Sequence, residues 1–210
     1  MPKTVDFYLA PGCPWTWLTS RWLVDVAEQR DVQVRWRPFS LGLLNAGRPL
    51  PPQLDTPAFR QRSETAGRAL RGITVLGLAG EDDAAGRFYT EFGRRFHDGE
   101  EAAADDPVLA AATAAGVGPT VAAAADADEV DTAIASGLDE ALALAGPDIG
   151  SPVLRIDGAG RGFHGPIVSP RITGEAGLRL FDAIAVLQAE PALFEIKRGR
   201  ATPPALGAVR

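Results

Sequence analysis

Cysteine is almost missing from this sequence: 210 residues contain one, Cys13. A lone cysteine excludes an internal disulfide framework and any multi-cysteine metal cluster. Histidine is nearly as scarce, with only His97 and His164, which leaves little basis for a multi-histidine zinc site, and no metal is expected. Lysine occurs only at Lys3 and Lys197, so the basic residues are almost all arginine. With abundant alanine and glycine, that bias points to a high-GC genome and says nothing of function. No run of about 18 apolar residues occurs, and Asp6 interrupts the first decade, where a signal segment would carry its apolar core. A soluble, cytoplasmic protein is the expectation. Positive charge is also in deficit: 21 basic against 27 acidic residues give a formal charge of −6 and a pI near 5.0. A general nucleic-acid or anionic-membrane binder needs the opposite field. The remainder, 46% hydrophobic and 23% charged, is that of an ordinary globular chain, one large domain or a domain with an insertion.

The residues present set out an order of elements. Val5-Asp6-Phe7-Tyr8-Leu9 is a short β-branched and aromatic run stopped by Pro11-Gly12, which predicts a buried strand. Trp15, Leu18, Trp22, Leu23, Val26 and Ala27 then fall on one helical stripe, with Arg21, Asp25, Glu28 and Gln29 pointing away. Val32, Val34 and Trp36 alternate with Gln33, Arg35 and Arg37 up to Pro38, the period of a half-buried strand. Strand, helix and strand in this short compass make a βαβ unit with parallel strands. From Thr56 to Leu144 the pattern is helical. Phe59, Leu70, Ile73 and Leu76 mark one helix, and Phe88, Tyr89, Phe92 and Phe96 another. Val130, Ile134, Leu138, Leu142 and Leu144 mark a third, stopped at Gly146-Pro147, and the alanine-rich stretch 101–128 favours helix by propensity. Val153-Leu154-Arg155-Ile156 restores β structure, residues 157–162 turn the chain, and Phe163-His164 opens a partner strand. Thr173 is the N-cap candidate of a last helix that buries Leu180, Phe181, Ile184 and Leu187.

The order βαβ, helices, ββα is that of an α/β thioredoxin fold with an all-helical insertion between its halves. The expected division is an N-terminal half over 1–55, the insertion over 56–148, a C-terminal half over 149–196, and a loose tail over 197–210.

Cys13 carries the most chemistry. It follows the first strand and Pro11-Gly12, and Pro14 stands where the first turn of a helix tolerates proline, so Cys13 falls at a helix N-terminus. Unpaired N–H groups and the positive end of the macrodipole stabilise a thiolate there. Cysteines so placed have pKa values lowered from about 8.5 to roughly 3.5–7.5 and act as nucleophiles at neutral pH. The alternative is a small buried hydrophobe. His97, beside Arg94, Arg95 and Asp98, is expected in solvent. His164 is expected on a strand near the cleft rim, either as a plain strand residue or as an acid–base partner of Cys13. The clusters Arg60/Arg62 and Arg68/Arg71 read as solvated helix faces. Residues 158–162 are glycine-rich but join two strands, so they are no dinucleotide loop, and no Walker loop, G-x-S-x-G elbow or H-E-x-x-H occurs.

Cys13-Pro14-Trp15-Thr16-Trp17 resembles the C-P-W-x-W active-site segment of DsbA-like thioredoxin-fold oxidoreductases, in particular the mycothiol-dependent, nitroreductase-type reductases of actinobacteria. Other segments match in the same order. Ser40-Leu41-Gly42-Leu43-Leu44-Asn45 is similar to the family's S-L-x-x-L-N, and Gly150-Ser151-Pro152-Val153 to its G-[ST]-P-V, whose proline is cis. Gly162-Phe163-His164-Gly165-Pro166 is similar to its F-F-G-P. The resemblance implies that Cys13 is the nucleophile, and that a cis Pro152 faces it and exposes the Ser151 backbone to a bound thiol or peptide. It also implies thiol- or substrate-binding roles for Pro14, Trp15 and Asn45. On residue type alone, Trp15 serves equally as core, and Asn45 as a cap before Gly47. Thr16 departs from the family's C-P-W-C. A second cysteine there would share a helix face with the first and release a mixed disulfide, which threonine cannot do. Thr16 can instead offer a hydroxyl to the Cys13 thiolate, and it is expected to face the cleft.

These residues lead to a cytoplasmic thiol–disulfide oxidoreductase, in which Cys13 attacks a disulfide or an activated electrophile. A low-molecular-weight thiol then clears the mixed disulfide. No tightly bound cofactor is expected. The thiol is a co-substrate, mycothiol in preference to glutathione because the resemblance and the high-GC composition agree. The expected partners are that small thiol and a small-molecule or protein disulfide, with no nucleic acid and no membrane, and a homodimer is left open. Two rivals stand beside this. A kappa-type glutathione transferase or 2-hydroxychromene-2-carboxylate isomerase shares the core and the insertion but usually has serine in place of Cys13. A non-catalytic thioredoxin-fold binding protein needs no resolving cysteine.

Overall fold

The computed structural model describes residues 2–99, 106–124 and 127–207. The strand β1 (Lys3–Leu9), helix α1 (Pro14–Gln29) and strand β2 (Val32–Pro38) form the expected βαβ unit. The helices α2 (Leu41–Leu44), α3 (Pro57–Leu78), α4 (Asp82–Phe96), α5 (Pro107–Ala114), α6 (Gly118–Ala123) and α7 (Asp128–Ala145) follow. The chain closes with β3 (Val153–Ile156), β4 (Phe163–His164) and α8 (Gly174–Gln188). Helices α5 and α6 lie in the alanine-rich stretch, of which residues 101–105 and 125–126 are outside the described residues. β1 runs parallel to β2, from Lys3 opposite Val32 to Leu9 opposite Pro38. It is antiparallel to β3, which pairs antiparallel with β4, giving the order β2-β1-β3-β4. A parallel and an antiparallel half sharing β1 is the thioredoxin arrangement.

Alternation along β1 sends Val5, Phe7 and Leu9 to one face and Asp6 and Tyr8 to the other. The first set joins Trp22, Leu23 and Val26 of α1 and Leu178, Phe181 and Ile184 of α8 in the main core. Tyr8 packs instead with Phe39, Val153 and the α7 residues Leu138 and Ala141, so helices cover both faces. Asp6, only 2% exposed, survives in the central strand because Arg155 donates to its Oδ2 at 2.9 and 2.6 Å, with Arg35 and Arg37 near Oδ1. β4 is too short to satisfy all of β3. Gln188 completes the ladder, its Oε1 accepting from Ile156 N–H at 2.8 Å and its Nε2 donating to the Leu154 carbonyl at 2.7 Å. That bond turns α8 slightly from the expected face: Leu178 and Gln188 are buried, while Leu180 and Leu187 are half-buried.

Residues 16–23 of α1 are buried on every side, because α4 covers the side turned from the sheet. Trp17 meets Tyr89 edge-on at 5.6 Å, and at Gly93 a Cβ would lie 2.2 Å from the Trp17 ring. Arg21, expected to point away, lies under that cover. Its guanidinium stacks 4.2 Å over Trp17 and donates to Thr90 Oγ1 at 2.7 Å, and burial pushes its pKa down to about 10. Arg71 is likewise no solvated face. It donates to the carbonyls of Ala124 and Ala127 at 2.9 and 3.0 Å and pairs with Asp131, tying α3 to α7. Both corrections have one cause: periodicity shows which stripe meets the sheet, not which outer stripe a later helix will cover. Among the described residues, no helix is long and apolar enough to cross a membrane, and no group of three or more His, Cys, Asp and Glu side chains could hold a metal ion.

Candidate active site

β1 ends at Leu9, and a tight turn lifts the chain into α1. Cys13 N–H donates to the Ala10 carbonyl at 3.0 Å, and the Cys13 carbonyl accepts from Trp17 N–H at 3.0 Å, the first bond of the helix. Cys13 is therefore the N-cap, in extended backbone with φ −83° and ψ 117°, and Pro14 takes the first helical position. The thiol caps no backbone N–H, and it sits half-buried beside the open end of α1. Only glycine fits at position 12, where a Cβ would meet Ala66 Cβ of α3 at 2.8 Å.

Across from the thiol, the chain enters β3 through Gly150-Ser151-Pro152. The Ser151–Pro152 peptide bond is cis, as are Gly165–Pro166 and Ser169–Pro170, two bonds that sequence reasoning did not single out. The Ser151 carbonyl accepts from the Cys13 thiol at 3.7 Å. Ser151 Oγ accepts from Ala10 N–H at 2.8 Å and pairs with Thr16 Oγ1 at 2.9 Å. Thr16 does not face an open cleft: it is fully buried, and its hydroxyl pairs with Ser151, not Cys13. The reason is that two hydroxyls enclosed together must satisfy each other.

Cys13, Pro14, Thr16, Ser151 and Pro152 thus meet where the N-terminus of α1 faces the start of β3. Trp15 is half-buried at the rim, with the Arg200 guanidinium 5.1 Å from its ring centroid. Leu41 and Leu44 of α2 pack beside Cys13 in the cluster of Tyr8, Phe39 and Val153. Asn45 is exposed, and its Nδ2 donates to the Leu41 carbonyl at 2.8 Å, which caps α2. A hollow of about 860 Å³ among Leu144, Arg161, Phe163 and Phe194 contains none of these residues.

His97 is not solvated, as its charged neighbours led us to expect. The end of α4 folds beneath the active loop, where His97 Nε2 donates to the Pro11 carbonyl at 2.8 Å and the ring stacks 5.9 Å from Trp17. Burial pushes its pKa down to about 4, so the ring is neutral at pH 7. Beside it, Asp98 accepts from Trp17 Nε1 at 3.1 and 3.2 Å. No local signal marks these two residues, since their partners are 86 and 81 positions away in the chain. His164 is an exposed β4 residue opposite Val153, and its pKa is lowered by burial first and then by Arg200 and Lys197. Those two cations belong to the segment 197–207, which has no regular structure but is tied down at its far end. Ala205 N–H donates to Ser169 Oγ at 3.0 Å, and Gly207 N–H to Asp98 Oδ1 at 3.3 Å. With one thiol in the chain, this arrangement can form and release a mixed disulfide but cannot close an internal one.

Residues 12–198 match the model of the Rv2466c-like family, described as mycothiol-dependent nitroreductase Rv2466c. The uncharacterized protein Rv2286c of Mycobacterium tuberculosis is 29% identical over 201 residues, which cover 93% of this chain and 81% of that relative. Among solved structures, a candidate protein disulfide isomerase from Nitrosomonas europaea superposes with a TM-score of 0.59 at 18% identity, covering 87% of this chain and 97% of the other. A candidate DsbA oxidoreductase from Streptomyces coelicolor gives 0.56 at 19% identity over 99% of each chain. This chain shares their DsbA-like thioredoxin fold.

Proposed function

The chain belongs to the Rv2466c-like family of mycothiol-dependent nitroreductases, and from that premise we propose that it works through Cys13 alone, with an external small thiol in place of a second cysteine. It is an enzyme, a thiol oxidoreductase. The Cys13 thiolate attacks one sulfur of a disulfide R–S–S–R; the S–S bond breaks, one RS⁻ leaves and takes up a proton, and Cys13–S–S–R remains. A low-molecular-weight thiol then attacks the R sulfur, carries it off as a mixed disulfide and returns Cys13 as thiolate. The sum balances as an exchange: one disulfide and one small thiol are consumed, one mixed disulfide and one RSH are released, and Cys13 is unchanged. Mycothiol is proposed as that thiol in preference to glutathione, supported by the family description. The cytoplasm is the proposed compartment, where small thiols are kept reduced.

Ser151 and Pro152 are proposed to flank the bound sulfur compound, Pro14 and Trp15 to form its other wall, and Asn45 to hold α2 against the Cys13 cluster. Thr16 is proposed to fix Ser151, and so the carbonyl that faces the thiol. The observation that carries the proposal is the Cys13 thiol at the N-cap of α1, 3.7 Å from the Ser151 carbonyl, in a chain with no other cysteine. Incubation with mycothiol disulfide, followed by intact-mass measurement, tests it. One mycothiol adduct on the natural protein, none on Cys13→Ser, and release by added mycothiol faster than by glutathione are expected. Absence of the adduct, or its presence on Cys13→Ser, overturns the assignment.

A further inference from the structure

The family match ends at residue 198, yet the chain beyond it returns to the active site. Arg200 lies with its guanidinium 5.1 Å from the centroid of Trp15, two positions from Cys13. The segment that carries it is anchored farther on by Ala205 to Ser169 and by Gly207 to Asp98, the carboxylate that also holds Trp17 under the active loop. Among the described residues, Arg200 has no ion-pair partner. Lys197 is three positions before it, and the field of both cations reaches His164 against the opposition of Glu195. His164 Nε2 would stand 3.4 Å from a Cβ at Gly150, next to Ser151. Arg200 therefore sets a positive charge at Trp15 on the rim of the site, in a chain whose net charge is −6.

We propose that Arg200, supported by Lys197, is the substrate-recognising cation of the Cys13 site, and that the electrophile attacked by Cys13 is a small sulfur compound carrying a carboxylate or similar anionic group. This rests on the oxidoreductase reading above. A guanidinium lying on an aromatic ring keeps the N–H groups of its edge free, in a plane suited to two parallel bonds to a carboxylate. Contact with the indole already limits the side chain, so less freedom is lost on binding. The same cation favours departure of a thiolate from the attacked disulfide. Elsewhere the acidic surface repels such a compound, so a local cation is what admits it.

The lone cysteine lets the experiment be read without ambiguity. Second-order rates of Cys13 modification are measured with a dianionic nitrobenzoate disulfide, neutral dipyridyl disulfide and dicationic cystamine, for the natural protein, Arg200→Ala, Arg200→Glu and Arg200→Lys. The anionic-to-neutral rate ratio should fall about fivefold in Arg200→Ala and further in Arg200→Glu, while cystamine gains and Arg200→Lys, which keeps the charge but not the planar fork, falls between the natural protein and Arg200→Ala. Added salt should lower the ratio in the natural protein and leave that of Arg200→Glu unchanged or raised. Ratios that stay within about twofold across all four proteins overturn the proposal and leave Arg200 as a tail anchor only. These reagents modify any accessible thiol, so the charge ratio is readable whether or not the mycothiol adduct forms, and the two proposals fail separately.

Discussion

Thr16 stands one helical turn beyond Cys13, enclosed completely and paired through Oγ1 with Ser151 Oγ at 2.9 Å. A cysteine in its place gives up that hydrogen bond at a cost of about 1 kcal/mol, but it sets a second sulfur on the helix face that bears the first. In the natural protein, a disulfide reagent should leave an adduct on Cys13 that only added thiol removes. In Thr16→Cys the adduct should be expelled and an internal disulfide formed, because a neighbouring thiol far exceeds any dissolved one in effective concentration. Intact mass distinguishes the outcomes: a retained adduct in one, and loss of two hydrogens in the other. An adduct that persists in Thr16→Cys would mean that the two side chains do not face each other. The helix-turn logic of the site would then be wrong.

At the scale of elements, a close contact beneath the site is that of α1 against α4. Gly93 makes it, with Trp17 ring atoms 2.2, 2.3 and 2.6 Å from where a Cβ would stand. Gly93→Ala gains helix propensity worth up to ~1 kcal/mol, yet it forces α4 away from the helix that carries the thiol. Overpacking of this kind costs about 1–3 kcal/mol, so a net loss of stability is expected in urea unfolding. Gly67 in α3 is the control, since nothing lies within 4 Å of its Cβ position. Gly67→Ala should therefore keep or raise stability. If both substitutions behave alike, the close approach of α1 and α4 is not what the structure describes.

For the molecule as a whole, acid stability reports on His97. Its pKa in the folded chain is about 4, against 6.5 for an ordinary histidine, because it is buried beneath the active loop. Below pH 6.5 the unfolded chain takes up a proton that the folded chain refuses until about pH 4, so stability falls as pH drops through that interval. The full interval corresponds to at most ~3.5 kcal/mol. His97→Gln keeps an N–H for the Pro11 carbonyl and removes the titration. Its stability should therefore decline less than that of the natural protein between pH 6.5 and 4. Parallel curves for the two proteins would show that His97 is not held neutral by the fold. The lowered pKa of His164 acts in the same direction in both and cancels in the comparison.

The order of elements, the parallel and antiparallel halves and the N-cap position of Cys13 were legible because each rests on local rules. Strand alternation, helical periodicity, a proline at the first helical position and turns marked by glycine act over a few residues, whatever the rest of the chain does. The segments Cys13–Trp17, Ser40–Asn45, Gly150–Val153 and Gly162–Pro166 added the fold by resemblance, and with it the expectation of a nucleophile at Cys13. What stayed hidden depends on which distant surface comes to rest on which. Arg21 and Thr16 became interior because α4 and β3 enclose α1, and His97 became a prop of the Pro11 turn because α4 ends beneath it. Arg200 reached Trp15 across 185 positions of chain. Such meetings follow from the summed packing of whole elements. No window of sequence around either partner contains them, and only the tertiary structure decides them.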